Sequence, residues 1–197
     1  HRMLIEYLVA QDYNLLGCEY DLGPLAENER NAKQYRMVRS NLKPADYLDQ
    51  YSVYQPIRFK LMFPDRLLVM GVEDPDLYRD DVANLRSLLA AKQKARRYDV
   101  DLPQRRQFEL AAEEALAALS KNIVARGVKA AENLLHAMNE TNRKKAILLI
   151  GGAHCAAIAE LLRVRQVPFL VFEARGYQDD GSQANEEPRD DFWVTRA

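Results

Sequence analysis

The pattern of apolar and polar positions along the chain predicts four β-strands, because four short apolar segments are bounded by polar or turn residues. These segments are 14–18 (NLLGC), 66–72 (RLLVMGV), 146–150 (AILLI) and 168–172 (PFLVF). The last three are apolar almost throughout instead of alternating, which is typical of strands buried on both faces of a parallel sheet. We therefore expect an α/β fold with a mainly parallel sheet covered by helices.

The segments between the predicted strands are long, as crossovers between parallel strands require. Residues 2–10 favour a helix before the first strand, and residues 24–64 form a polar and aromatic crossover. The longest connection, about 75–145, carries apolar residues three and four apart in its second half, which predicts a long helical hairpin. We expect its two helices to meet near 99–103, where Pro103 interrupts the pattern.

This helical insertion is longer than a crossover needs, since about a dozen residues are enough to join parallel strands. We expect it to cover the sheet, to form a lid, or to bury its apolar stripe in a homodimer. A short helix over 155–165 leads to the last strand. Residues 1–176 then form a single α/β domain, and 177–197 an acidic tail or loop whose apolar end, 192–194 (FWV), is expected to dock back.

Composition narrows the classes of protein to which the chain can belong. Of its 197 residues 48% are hydrophobic, which is enough for a core, and the formal net charge is −1. A charge so close to zero gives no reason to expect nucleic acid or an anionic membrane as a partner. No apolar run approaches the roughly 18 residues that a membrane span needs. Two cysteines, Cys18 and Cys155, are too few for a disulfide framework and favour a reducing compartment such as the cytoplasm.

Side chains with chemical potential follow all four predicted strands. The first strand runs into Glu19, the second into Glu73, the third through Gly-Gly-Ala into His154, and the fourth into Glu173. Ligands of open α/β sheets bind in the crevice at the carboxyl ends of the strands, so we expect these side chains to converge at one edge. The alternative is that each one only caps a helix or pairs with a nearby charge.

His154 is the most specific of these candidates. The small residues before it, 151–153 (GGA), let the backbone turn tightly between a strand and a helix and expose the side chain. N–H groups at the helix start would also favour an anion or an oxyanion. The turn lacks the residues of a phosphate-binding loop or a dinucleotide fingerprint. A Cys155 nucleophile with His154 or His136 as base is disfavoured, because adjacent residues at a helix start project in different directions.

One segment resembles the TIKI/TraB/ChaN/erythromycin-esterase superfamily, namely AILLIGGAHCAAIAELLRVRQVPFLVF. It contains the third strand, its Gly-x-x-His turn, the next helix and the fourth strand. The segments LLGCE and LLVMGVEDPDLY are similar to the superfamily's early strand-end carboxylates. The resemblance implies a mixed α/β fold whose site lies at the strand ends, at Glu19, Glu73 and His154. Members include metal-dependent peptidases, esterases and haem-binding proteins. The family's first strand should precede the helix that here begins at His1, so we expect this strand either to be missing or to have His1 as its last remnant. The chain opens with His1 and not with an initiator Met, so we also expect an upstream segment, with any targeting signal, to be absent.

Three hypotheses for function follow. In the first, the chain is a metal-assisted hydrolase of an ester or amide bond in a small molecule or peptide. His154 and one of Glu19 or Glu73 would bind Zn²⁺, Mn²⁺ or Fe²⁺ in preference to Ca²⁺, and the other carboxylate would take a proton from the attacking water. In the second, it is a non-enzymatic haem- or small-ligand-binding domain with His154 or a tyrosine as axial ligand. In the third, the strand-end residues form only caps and ion pairs.

Overall fold

The computed structural model describes residues 2–25, 55–97, 100–174 and 193–196. The helices are α1 (Arg2–Ala10), α2 (Gln55–Met62), α3 (Pro75–Ala95), α4 (Leu102–Glu140) and α5 (Cys155–Val164), and a short 3-10 turn spans Gly152–His154. The strands are β1 (Leu15–Asp21), β2 (Gly23–Pro24), β3 (Leu68–Glu73), β4 (Ala146–Leu149), β5 (Val171–Ala174) and β6 (Trp193–Arg196). Most of the predicted polar crossover, residues 26–54, lies outside the described residues.

Three parallel strands form the centre of the main sheet. The strand order is β2-β3-β1-β4, and β1 pairs in parallel with β3 on one side and with β4 on the other. Leu15 lies opposite both Leu68 and Ala146, so the three strands begin at the same level and their carboxyl ends share one edge. The two-residue strand β2 pairs antiparallel with β3. The prediction of an α/β fold with a mainly parallel, helix-covered sheet is therefore confirmed.

The fourth predicted strand does not join this sheet. The sequence pattern places it over 168–172, but the paired segment is Val171–Ala174, and it pairs antiparallel with Trp193–Arg196 in a separate two-stranded sheet. Pro168 has no N–H group to donate to a ladder, which agrees with the later start of the strand. β6 belongs to the end of the segment that the sequence assigns to a tail, and the division of the chain at residue 176 stays a prediction.

Helices cover both faces of the main sheet. Neighbouring residues of β1 point to opposite faces, so both faces present apolar side chains to helices. Leu15 packs with Leu134 of α4 on one face, whereas Leu16 packs with Ile57 of α2 on the other. Both leucines of β1 are 0% exposed. Helix α4 lies so close to β1 that a Cβ atom at Gly17 would come 2.9 Å from Cδ1 of Leu134. Helices thus cover both sides of the sheet, and α4 packs against the face that Leu15 and Gly17 share.

The insertion between β3 and β4 is a helical hairpin, as the pattern predicts. Its helices α3 and α4 pack through Leu88, Ala91, Ala112 and Ala115. Helix α4 has 39 residues. At about 1.5 Å per residue it is roughly 58 Å long and extends well beyond the sheet. None of the described helices, α4 included, is long and apolar enough to cross a membrane. The lid and homodimer roles of the hairpin stay predictions.

The side chain of Asp74 caps the N-terminus of α3. The side chain of Asp74 accepts hydrogen bonds from the backbone N–H groups of Asp76 (3.0 Å) and Leu77 (3.0 Å), which have no partner within the helix. We expect Asp74→Ala to lower the free energy of unfolding by about 1 kcal/mol, the usual cost of losing such a cap. Urea unfolding followed by circular dichroism measures the change. Asp80→Ala, at an exposed position of the same helix, is the control, and equal losses in the two variants would contradict the capping role.

Candidate functional site

The carboxyl ends of β1 and β3 and the turn after β4 form one edge of the main sheet. Glu19 lies in the second half of β1, Glu73 is the last residue of β3, and His154 ends the 3-10 turn that follows β4. Parallel strands that begin at one level end at one edge, so the topology brings these residues to the same place. All three residues that the sequence predicts for the site therefore meet at this edge.

Glu19 contacts both His154 and the turn before it. Its Oε1 atom lies 3.3 Å from Nε2 of His154, and its Oε2 atom accepts a 2.8 Å hydrogen bond from the backbone N–H of Gly151. The hydrogen bond with His154 is the main reason that the pKa of Glu19 lies below its ordinary value of 4.5. About a third of the side chain (32%) is exposed, so this ionised carboxylate can be reached from solvent.

The expectation that the Gly-Gly-Ala turn exposes the side chain of His154 is wrong, because α4 packs against it at Gly127. His154 is 5% exposed, and both of its ring nitrogens face oxygen atoms. Nδ1 lies 2.8 Å from the main-chain oxygen of Ile123, and Nε2 faces Oε1 of Glu19. A carbonyl and an ionised carboxylate only accept hydrogen bonds, whereas a neutral imidazole has one donor nitrogen and one acceptor nitrogen. Two lone pairs would therefore face each other unless a second ring proton or a bound cation lies on the ring. The hydrogen bond with Glu19 accordingly raises the pKa of His154 above its ordinary value of 6.5.

Arg126 of α4 joins the carboxylates at this edge. Its Nε and Nη2 atoms donate to the two oxygens of Glu73 at 2.9 and 2.7 Å, which is a bidentate pair. Its Nη1 atom donates to Asp81 of α3, and Nη2 also lies 3.3 Å from Oε1 of Glu19. The hydrogen bonds with Glu73 are the main reason that the pKa of Arg126 is raised, so the guanidinium stays charged.

We call this group the strand-end cluster: Glu19, Glu73, Asp81, Arg126 and His154. With a neutral His154 it holds three carboxylates and one guanidinium, so its formal charge is 1 − 3 = −2. One further positive charge on the ring brings the sum to −1. Because most of the cluster is buried, its excess of negative charge favours a cation beside Nε2 of His154.

Arg126, Asp81 and Asn122 are absent from the residues that the sequence predicts for the site. Asn122 donates a 2.9 Å hydrogen bond to Oδ1 of Asp81 and so belongs to the same network. Arg126 lies four residues before buried Ala130, and Asp81 lies seven residues before buried Leu88, so each falls on the apolar stripe of its helix. A charge on a buried stripe needs a partner. Charges of opposite sign on the stripes of two hairpin helices are the signal that could have found this pair.

Two other candidates are not among the residues of the strand-end cluster. Glu173 belongs to β5 and lies opposite Val194 of β6, so it is in a different sheet. His136, considered as a base for Cys155, is 73% exposed on α4 and lies 3.1 Å from Glu140. The other cysteine, Cys18, is a core residue that is 1% exposed, and this burial raises the pKa of its thiol to about 12.

The strand-end cluster offers a divalent cation two neighbouring ligands, one imidazole and one carboxylate. No group of three or more His, Cys, Asp or Glu side chains among the described residues is arranged to hold one. Glu19 and His154 nevertheless fit as two ligands, because donors about 2.1 Å from a tetrahedral ion lie about 3.4 Å apart, and Oε1 and Nε2 are 3.3 Å apart. Metal-binding histidines commonly donate their other N–H to a carbonyl, the role that Ile123 fills here. Glu19 is the carboxylate that lies beside His154, whereas both oxygens of Glu73 accept from Arg126.

Comparisons with protein-family models, with curated proteins and with solved structures find no match to this chain. The resemblance to the TIKI/TraB/ChaN/erythromycin-esterase superfamily therefore stays a prediction from sequence motifs.

Proposed function

We propose that the chain is a hydrolase of ester or amide bonds in a small molecule or peptide, and that it acts at the strand-end cluster with a divalent metal ion held by His154 and Glu19. One observation carries this proposal: the ring of His154 is buried, and both of its nitrogens face oxygen acceptors. A cation on the Nε2 side removes the conflict between the facing lone pairs. Imidazole and carboxylate together suit Zn²⁺, Mn²⁺ or Fe²⁺.

The protein's own groups orient this pair of ligands. The oxygen of Ile123 accepts from Nδ1–H and so leaves Nε2 as the nitrogen that faces Glu19. The N–H of Gly151 binds Oε2 of Glu19, which leaves Oε1 directed at the ring. A divalent ion bound there would supply a Lewis acid and a water molecule of lowered pKa.

Arg126 and Glu73 support this pair from the side. Because Glu73 accepts two hydrogen bonds from Arg126, we assign it the role of holding the guanidinium, in preference to taking a proton from water. The guanidinium lies 3.3 Å from Oε1 of Glu19, and its charge helps to keep that carboxylate ionised. Neither residue needs to touch the substrate to act in this way.

His154→Ala tests the proposal through metal binding and hydrolysis together. An ion that binds only the folded chain adds about 2.7 kcal/mol of stability at 100 times its Kd, so Zn²⁺ or Mn²⁺ should raise the thermal midpoint of the unmodified chain. We expect His154→Ala to abolish this rise and also to abolish hydrolysis of a panel of 4-nitrophenyl esters and fluorogenic peptides. Calorimetry with and without the ion, and initial rates on the metal-loaded chain, provide the two measurements.

His136→Ala is the matched control, because His136 also pairs with a glutamate but lies exposed on the surface of α4. We expect this variant to keep both the metal response and the hydrolysis. The proposal would be overturned if the two variants behaved alike, or if the unmodified chain neither bound these ions nor cleaved any substrate. Haem binding that is lost in His154→Ala would support the second hypothesis instead, which no contact within the described ranges favours.

A further inference from the structure

Helix α4 meets His154 at Ile123 and Gly127, which lie one helical turn apart. The oxygen of Ile123 is 2.8 Å from Nδ1 of His154. Gly127 is buried, and a Cβ atom there would lie 3.1 Å from Cβ, 3.2 Å from the main-chain oxygen and 3.3 Å from Nδ1 of His154. These separations are shorter than ordinary van der Waals contacts. The missing side chain therefore makes room for the turn that carries His154.

Gly127 also leaves the oxygen of Ile123 open to a second donor. Within an α-helix this oxygen accepts from the N–H group four residues later, which belongs to Gly127 itself. A carbonyl oxygen has two lone pairs, so Nδ1–H of His154 can use the second one when no Cβ stands beside it. Glycine costs about 1 kcal/mol more than alanine inside a helix, which calls for a packing reason. The close packing of His154 against Gly127 supplies that reason.

We infer that Gly127 and Ile123 are positioning residues, which seat His154 against α4 and fix Nε2 as the nitrogen presented to Glu19. The consequence for catalysis rests on the proposed function, because it is the hydrolase that needs Nε2 on the metal side. The placement of His154 itself depends only on its packing against Gly127 and on its hydrogen bond to Ile123. Partners of this kind change the affinity of a metal site by about 10–100-fold when they are lost.

Gly127→Ala and Gly127→Val test the inference in graded steps. At one fixed pH, nitrogen-detected NMR of the histidine rings, assigned with His154→Ala, shows whether Nδ1 carries a hydrogen-bonded proton. We expect that signal in the unmodified chain, a shifted signal in Gly127→Ala, and its loss in Gly127→Val. Competition with a chromogenic chelator should show Zn²⁺ binding weakened by about 10–100-fold in Gly127→Val.

Gly152→Ala is the matched control, because it lies in the same turn as His154 and a Cβ atom there has no neighbour within 4 Å. We expect it to leave the ring signals and the Zn²⁺ affinity unchanged. The inference is overturned if both Gly127 variants give the ring signals of the unmodified chain, or if Gly152→Ala changes them equally. If Gly127→Val does not fold, Gly127→Ala decides the question. A chain that shows the expected ring signals but binds no Zn²⁺ supports the positioning role and contradicts the proposed function.

Discussion

Arg126→Met is expected to lower the free energy of unfolding by about 3–5 kcal/mol, the usual cost of removing one partner from a buried ion pair. The side chain of Arg126 is 13% exposed, and those of Glu73 and Asp81 are 10% and 11% exposed. The change therefore leaves two carboxylates without their cation in a place that water barely reaches. Methionine keeps most of the apolar stem, so the loss reports the missing charge more than a cavity. Urea unfolding at neutral pH measures it.

Arg163→Met provides the comparison, since Arg163 pairs with Glu160 on the surface of α5 and is 66% exposed. Surface pairs contribute about 1 kcal/mol or less. Adding Glu73→Gln and Asp81→Asn to Arg126→Met removes the stranded charges and should restore part of the lost stability. If Arg126→Met cost no more than Arg163→Met, the buried ion network would contribute no more to stability than a surface pair.

Three members of the strand-end cluster could be predicted from sequence because strand direction alone determines their place. Each of Glu19, Glu73 and His154 follows a predicted strand, and the nearly continuous apolar runs before Glu73 and His154 favour parallel pairing. Their carboxyl ends then share one edge whatever the details of packing. The prediction needed no knowledge of how the helices lie.

Arg126 could not be predicted in this way, because its place depends on the register of two helices. Its partner Asp81 lies 45 residues away along the chain, and the two meet only when α3 and α4 pack at one particular offset. Charged residues are frequent along both helices, and a charged residue is most often on the solvated side of a helix. The apolar stripe shows which face is buried, but not which charge on that face has a partner.

The fourth strand shows that an apolar run does not determine the sheet that a strand joins. Apolar residues predicted a strand near 168–172, and a strand is found at Val171–Ala174. Its partner is Trp193–Arg196 and not β4. The hydrogen bonds of a ladder join backbone groups that every sequence has, so the apolar pattern does not identify the partner strand. An apolar run therefore indicates that a segment is extended, and leaves open which sheet it joins. Glu173 was grouped with the site on the assumption of a single sheet.

Glu19→Gln should slow the proposed hydrolysis by about 100-fold or more, because it weakens a metal ligand, and even the partners that only orient such ligands are worth about 10–100-fold. Glutamine keeps the shape of the side chain but removes the negative charge that faces Nε2 of His154. Initial rates at saturating metal and substrate measure the effect. Glu140→Gln is the matched control, because Glu140 lies 3.1 Å from His136 in an exposed pair and should be dispensable. Equal rates in the two variants would exclude Glu19 from the reaction.

The same substitution should also change how stability depends on pH, and this part of the prediction holds without any activity. The pKa of Glu19 is lowered in the folded chain, so its contribution is present above its ordinary pKa of 4.5 and is lost as the pH falls through the lowered value. The pKa of His154 is raised, so its contribution is complete below its ordinary pKa of 6.5 and is lost as the pH rises through the raised value. With a chelator present, the difference in unfolding free energy between the unmodified chain and Glu19→Gln should therefore be largest between these two ordinary values and shrink on either side. A difference that stays constant with pH would show that Glu19 and His154 do not form an ion pair.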